Sequence, residues 1–325
     1  GNPSKPSEVY GAQCDNTTLC DELKDKGIHS ISMNARQAFM SIKQNIGKVH
    51  IVLPYACKFD APKDINVFTD GSWINPRKFQ FALGGAGVWW PLRKLEKHPL
   101  SQAEVDLAHS FPSEQGTRIA TAIGGYSGSS TRTELAAGIL AICSHGPVHV
   151  ASDSEVFVKQ ANAYKNRLLQ GLPIHTTFGI VSDGDLWNHF VKALVAKGPK
   201  SVNFTWVKGH AEEKHIDEGI TTRTNKVGND IADATADIGV ALHGDRVTYL
   251  AKLYNTRHIK YSLFMAKIIK HIVEAHEIHR ELMRIIEAKS DSIADEISKK
   301  WVFKHLAYIT PEQTRKLEFH CSITM

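Results

Sequence analysis

Four acidic residues stand where they could act together: Asp70 in VFTDGS, Glu134 in STRTELAAG, Asp153 in HVASDSEVF and Asp233 in GNDIADATA. An isolated carboxylate is ordinarily a solvated surface group. Here two of the four close apolar β-type runs and two sit on helix-like segments, so one end of a sheet can gather them all. Carboxylates that converge without cysteine form a hard, oxygen-only donor set. Such a set suits magnesium, with manganese as a substitute, in preference to zinc. Two such ions about 4 Å apart activate a water on one side of a phosphodiester and stabilise the leaving oxygen on the other. WVKGHA, residues 206–211, adds His210. A histidine after glycine in a loop can move, and its ordinary pKa of about 6.5 suits proton transfer.

The elements that must position these residues follow from hydrophobic periodicity. Residues 65–70 read as a strand, residues 79–90 as a second one and residues 117–124 as a third. The second is centred on Gly84-Gly85-Ala86-Gly87, which marks a bulge or a close backbone approach. No helical pattern intervenes, which implies antiparallel pairing, and residues 91–115 form a polar excursion. The pattern then changes to an amphipathic helix over residues 131–143, with Ser130 or Thr131 as N-cap. A strand at 148–152, helices at 155–163 and 183–198, a strand at 201–207 and a helix at 228–239 complete the domain. The fold class is therefore α/β, a mixed five-stranded sheet flanked by helices.

Outside this region the signals are thinner. Residues 1–30 read as a polar loop, residues 32–45 as a short helix, residues 48–55 as a strand ending at proline and CKFDAPKD as a linker. After Gly244 apolar residues recur at steps of three and four, giving one or two long helices, with a further helix starting at Thr310. The expected organisation is an N-terminal segment at 1–63, a catalytic domain at 64–242 and a helical C-terminal extension at 243–325.

Composition narrows the function classes. The chain has 325 residues, 42% of them hydrophobic, which is ample for a core without disulfides. Its five cysteines are odd in number and lack any C-x-x-C pair, against a secreted disulfide framework or a zinc ribbon. A reducing compartment, cytoplasmic or nuclear, is the expectation. No apolar run approaches the roughly 18 residues of a membrane span. The formal charge of +5 divides into +2 over residues 1–63, −1 over 64–242 and +4 over 243–325. A nearly neutral catalytic part with a basic tail fits a nucleic-acid partner held partly outside the acids; a solvated basic helix fits as well.

The ordered set FTDGS, STRTELAAG, SDSE, DLW, WVKGHA and GND-IADATA resembles the type-one ribonuclease H family, including the domains attached to reverse transcriptases. The resemblance implies that Asp70 is shared by two magnesium ions and that Glu134, Asp153 and Asp233 complete their ligands. Asp230 is the alternative fourth acid. The family's order of Asn, acid, two residues, then catalytic Asp is reproduced by Asn229 to Asp233, leaving Asp230 as a first-turn acid favoured by the helix dipole. His210 matches the family's mobile histidine. Ser130, Thr131, Arg132 and Asn229 match positions that touch a hybrid duplex, where 2′-hydroxyl contacts distinguish RNA from DNA. Tyr164, Lys165 and Arg167 are a thin substitute for the family's basic handle.

The implied activity is hydrolysis of the RNA strand of RNA/DNA hybrids. The implied context is a retroelement polyprotein with reverse transcriptase domains as partners, the chain opening without methionine. Two rivals are an inactive binding module of the same fold and another nuclease of that broad fold. His271, His276 and His279 read as exposed helix residues rather than a metal site, since no cysteine joins them.

Overall fold

The apolar runs at the centre of the chain become strands whose successive side chains turn to opposite faces. The computed structural model describes residues 33–45, 52–75, 79–124 and 129–288. β1 (Val67–Ile74), β2 (Leu83–Pro91), β3 (His109–Ser113), β4 (Gly116–Ile123), β5 (Val148–Ser152) and β6 (Val202–Trp206) form one sheet, ordered β3-β4-β2-β1-β5-β6. β1 and β2, β2 and β4, and β3 and β4 pair antiparallel, whereas β1 and β5, and β5 and β6, are parallel. The sheet is mixed, as the alternation of elements implied, and has six strands where five were expected. The extra one, β3, is HSFPS at the sheet edge, largely exposed and carrying Pro112. It lacks the apolar alternation of a half-buried strand, and an edge tolerates proline.

Helices cover both faces. They are α1 (Met33–Asn45), α2 (Gln102–Leu107), α3 (Ser130–Ile142), α4 (Glu155–Leu169), α5 (Gly184–Lys197), α6 (Glu213–Asp217), α7 (Arg223–Ala241) and α8 (Asp245–Ala288). Val67, Val88, Trp90 and Val150 join the core with α3, α4 and α5, where Phe157, Trp187 and Phe190 cluster with ring centroids 5.5–6.3 Å apart. Phe68, Trp89 and Ala151 pack instead with Ala232 of α7. The adjacent Trp89 and Trp90 thus face opposite ways, and both are buried because neither face is open.

The glycines of β2 mark a close approach and no bulge, since the β1–β2 register runs residue for residue. A Cβ on Gly85 would lie 2.2 Å from the Val240 nitrogen, and one on Gly87 2.2 Å from the Ala236 nitrogen, so α7 rests on the bare backbone of β2.

The excursion between β2 and β4 is built around a buried ion pair. Arg93 donates to Glu104 from both terminal nitrogens, at 2.7 and 2.9 Å, and to the carbonyls of His98 and Pro99. Glu104 also closes a capping box with Ser101 at the start of α2.

The strand expected at 48–55 is absent over residues 52–55; residues 48–51 lie outside those described. The following segment, expected as a linker, bonds to the end of α5 and beyond, through Cys57 N–H to the Lys197 carbonyl, Ala61 N–H to that of Lys200, and Ser201 Oγ to Phe59. Those partners lie off the sheet, so no ladder forms.

Two compact units divide the chain, residues 1–258 and 259–325. In the first, Val247, Leu250, Ala251 and Tyr254 pack around Phe39 of α1 and Phe81, whose rings lie 5.9 Å apart. In the second, α8 leaves Leu263, Ile269, Ile272 and Met283 exposed, and His271, His276 and His279 are exposed as expected. α8 is one continuous helix of 44 residues. The loop expected at 1–30 and the helix expected at Thr310 lie outside the described residues. No helix among them is long and apolar enough to cross a membrane.

Gly87→Val should displace α7 and lower stability by about 1–3 kcal/mol or more in urea unfolding. Gly179→Ala, where a Cβ meets nothing within 4 Å, should be neutral.

Candidate active site

Glycine also explains why the acids meet. Asp70 sits within β1, and Gly71 after it lies directly against the first turn of α3. A Cβ there would stand 2.4 Å from Thr133 Oγ1 and 2.5 Å from the Glu134 nitrogen. Only a bare backbone lets α3 come so near, and Glu134 is thereby delivered beside Asp70. Asp153 follows the last residue of β5, the parallel neighbour of β1. The loop after β6 closes over it: a Cβ on Gly209 would lie 2.1 Å from Asp153 Oδ2, and Trp206 Nε1 donates to the Asp153 carbonyl at 2.9 Å.

Asp70, Glu134 and Asp153 each offer a carboxylate oxygen within 4.8 Å of the others. Asp70 and Glu134 are only 6% and 7% exposed. Gly71 N–H donates to Asp70 Oδ1 at 2.7 Å, and Ser152 Oγ to Glu134 Oε2 at 3.3 Å. Burial, then the Asp153 charge, pushes the Asp70 carboxyl up to about 7. Burial, then the charge of Asp70, holds Glu134 well above the usual carboxylate range. Among the described residues no lysine or arginine offsets either carboxyl. The residues therefore fit a divalent cation: oxygen donors only, crowded together, with negative charge that the protein leaves unneutralised.

Asp233 projects from α7 and is half-buried. Its carboxyl is raised by burial and by Asp237, with His210 acting in the opposite direction, and it lies within electrostatic reach of Asp70 and Asp153. Asp230 is exposed and paired with Lys226 at 2.6 Å. His210 is exposed in a turn, with a backbone φ of 46°.

The remaining predicted positions divide. Ser130 is exposed and Thr131 half-buried at the start of α3, and the cap is neither of them but Ser129, whose Oγ accepts from Arg132 N–H at 3.0 Å. Arg132 and Asn229, expected to touch a hybrid duplex, are only 7% and 2% exposed. The Arg132 guanidinium is taken up inside the domain, by Asp185 at 2.7 and 2.9 Å, Asp183 at 3.3 Å and the Gly124 carbonyl. It ties α3 to α5 two residues before Glu134. Tyr164 packs on Trp187, half-buried Lys165 bonds Asn203 and exposed Arg167 bonds the Pro173 carbonyl.

Sequence reasoning missed Ser129, Gly71, Gly209 and Trp206. The Asp-Gly and Gly-His pairs carried the signal for the two glycines. Nothing local distinguished Ser129 from the serine after it.

A mixed sheet covered on both faces, with a buried carboxylate cluster at adjacent parallel strands β1 and β5, defines the ribonuclease H class of fold. The family model described as RNase H matches residues 62–241, and the chain belongs to the RNase H family. Among solved structures it is similar to a foamy viral protease-reverse transcriptase in complex with dsDNA, at 16% identity and TM-score 0.33, covering 54% of this chain and 93% of that one. It is also similar to the native prototype foamy virus protease-reverse transcriptase, at 18% identity and TM-score 0.36, covering 58% and 22%. A third likeness is LC9-RNase H1, a type 1 RNase H with the type 2 active-site motif, at 19% identity and TM-score 0.34, covering 60% and 76%. No curated protein matches the chain.

Because the folded pKa of Asp70 is raised from 3.8 to about 7, the folded state binds more protons than the unfolded state in that window. Metal-free stability therefore falls as pH rises through it. Asp70→Asn removes the penalty: with chelator present the variant should exceed the parent by about 1–3 kcal/mol near pH 8, and by little near pH 4. A less stable variant near pH 8 contradicts this electrostatic reading.

Proposed function

We propose that the chain is a metal-dependent endonuclease that hydrolyses the RNA strand of RNA/DNA hybrids, leaving 5′-phosphate and 3′-hydroxyl ends. The observation that carries this is the crowded carboxylate triad of buried Asp70 and Glu134 with half-buried Asp153 in a chain of the RNase H family. In this reading the triad and Asp233 hold two magnesium ions, or manganese as a substitute. The bound ions supply water activation and charge stabilisation at the phosphodiester.

The chain's own residues do the positioning and the proton handling. Gly71 and Gly209 fix the spacing of the acids, and the Arg132 ion pairs hold the α3 turn that carries Glu134. His210, exposed and electrostatically coupled to Asp233, is placed to exchange a proton with the leaving strand and with solvent. Ser130 and Thr131 present hydroxyls at the start of α3, where they can meet a 2′-hydroxyl. Reverse transcriptase domains of one polyprotein and an intracellular setting belong to the same proposal.

The test is cleavage of a labelled RNA/DNA hybrid with magnesium, beside RNA/RNA and DNA/DNA duplexes. Asp70→Asn and Asp153→Asn should abolish cutting while circular dichroism stays unchanged, and His210→Ala should slow turnover about 10²-fold. Cutting retained in either Asp variant, or equal cutting of DNA/DNA, rejects the proposal.

A further inference from the structure

At the opposite end of the sheet from the acids lies a cleft of about 640 Å³. It is floored where β1 and β5 begin and walled by the excursion after β2, so its ends meet residues 62–66, 90–99 and 145–147. Six residues separate Pro147 at its edge from Asp153, roughly 20 Å along an extended strand. The volume falls in the range of small-ligand sites.

Its lining contains no acidic residue, but it contains Arg93, Lys97, His98 and His145. Arg93 is neutralised by Glu104 and serves the wall. Lys97, His98 and His145 are exposed at the cleft, with the His145 ring stacked on Tyr55 at 6.4 Å, and each carries nitrogen that can donate a hydrogen bond to an anion. Apart from Asn66 the rest of the lining is largely apolar, with Pro91, Pro99 and Pro147 beside Leu92. The frame is preformed: Asn66 donates from Nδ2 to the Pro147 carbonyl and accepts from His149 N–H, which clamps the turn before β5 to the start of β1.

Leu92 points to use of the cleft. Its φ is 61°, a strained region for a side chain of this kind, yet the side chain is 80% exposed and gains no burial from the strain. The backbone is held there by Leu92 N–H to the Gln115 carbonyl at 2.9 Å. Backbone held in such a region clusters at active sites and ligand clamps.

We propose that the cleft binds a phosphate-bearing nucleotide, either free or at the end of a strand. Lys97, His98 and His145 meet the phosphate, and Leu92 and the prolines pack against the base. This site is separate from the acids and requires no metal.

The test uses the full chain with chelator, and calorimetric titration with 5′-AMP, with adenosine, and with 5′-phosphorylated and 5′-hydroxyl DNA hexamers. The expected result is a dissociation constant of about 0.1–1 mM for AMP, with adenosine about tenfold weaker or more. Lys97→Glu should weaken AMP binding about tenfold or more while hybrid cleavage is unchanged. Leu92→Gly should weaken AMP binding while melting at or above the parent temperature, because glycine relieves the strain. A phosphorylated hexamer that binds tighter than AMP assigns the site to strand ends; AMP tighter than the hexamer assigns it to free nucleotide. Equal binding of AMP and adenosine, no binding of any probe, or binding indifferent to both variants overturns the proposal.

Discussion

The acidic end of this molecule depends on how closely two helices approach the backbone of β1 and β2. α3 meets β1 at Gly71, and α7 meets β2 at Gly85 and Gly87. At each contact a side chain would sit where backbone atoms already are. These contacts fix the depth at which Glu134 and Asp233 enter the site, and they come from opposite faces of the sheet. Asp70, on the strand between them, is reached from both sides.

Close packing of this kind forces a conflict that the protein leaves unresolved. Burial and like charge disfavour the ionised forms of Asp70 and Glu134, and among the described residues no basic side chain relieves them. Two buried arginines elsewhere in the same domain are compensated: Arg93 by Glu104 and two carbonyls, Arg132 by Asp185 and Asp183. Uncompensated buried carboxylates are a demand for a cation, whereas the two arginine sites are structural clamps. The contrast separates chemistry from architecture, since it compares like groups within a single fold.

The acids were legible in the sequence because each is flanked by residues that reveal its element. Asp70 ends an apolar alternation and precedes glycine, and Glu134 lies in a helix-period segment. β3 was not legible, because an exposed edge strand need not alternate. The strand expected at residues 48–55 is absent over residues 52–55 for the complementary reason: an apolar run identifies burial, not a partner, and the chain after Pro54 bonds to the end of α5 instead of a strand. The depth of Arg132 and Asn229 was not legible, because motif position gives a residue's neighbourhood and not its burial. Arg132 points into the domain because Asp183 and Asp185, some fifty residues away, wait there. Long-range pairing of that kind leaves no local trace.

The most direct measurement is calorimetric titration of manganese into the metal-free chain near pH 7, repeated in buffers of different ionisation enthalpy. A triad crowded enough to retain protons must give them up to the metal, so binding should release about half a proton or more per chain. The release should shrink in Asp70→Asn. Binding without proton release, or no binding at millimolar metal, contradicts the account of the site as a buried, proton-sharing cation centre.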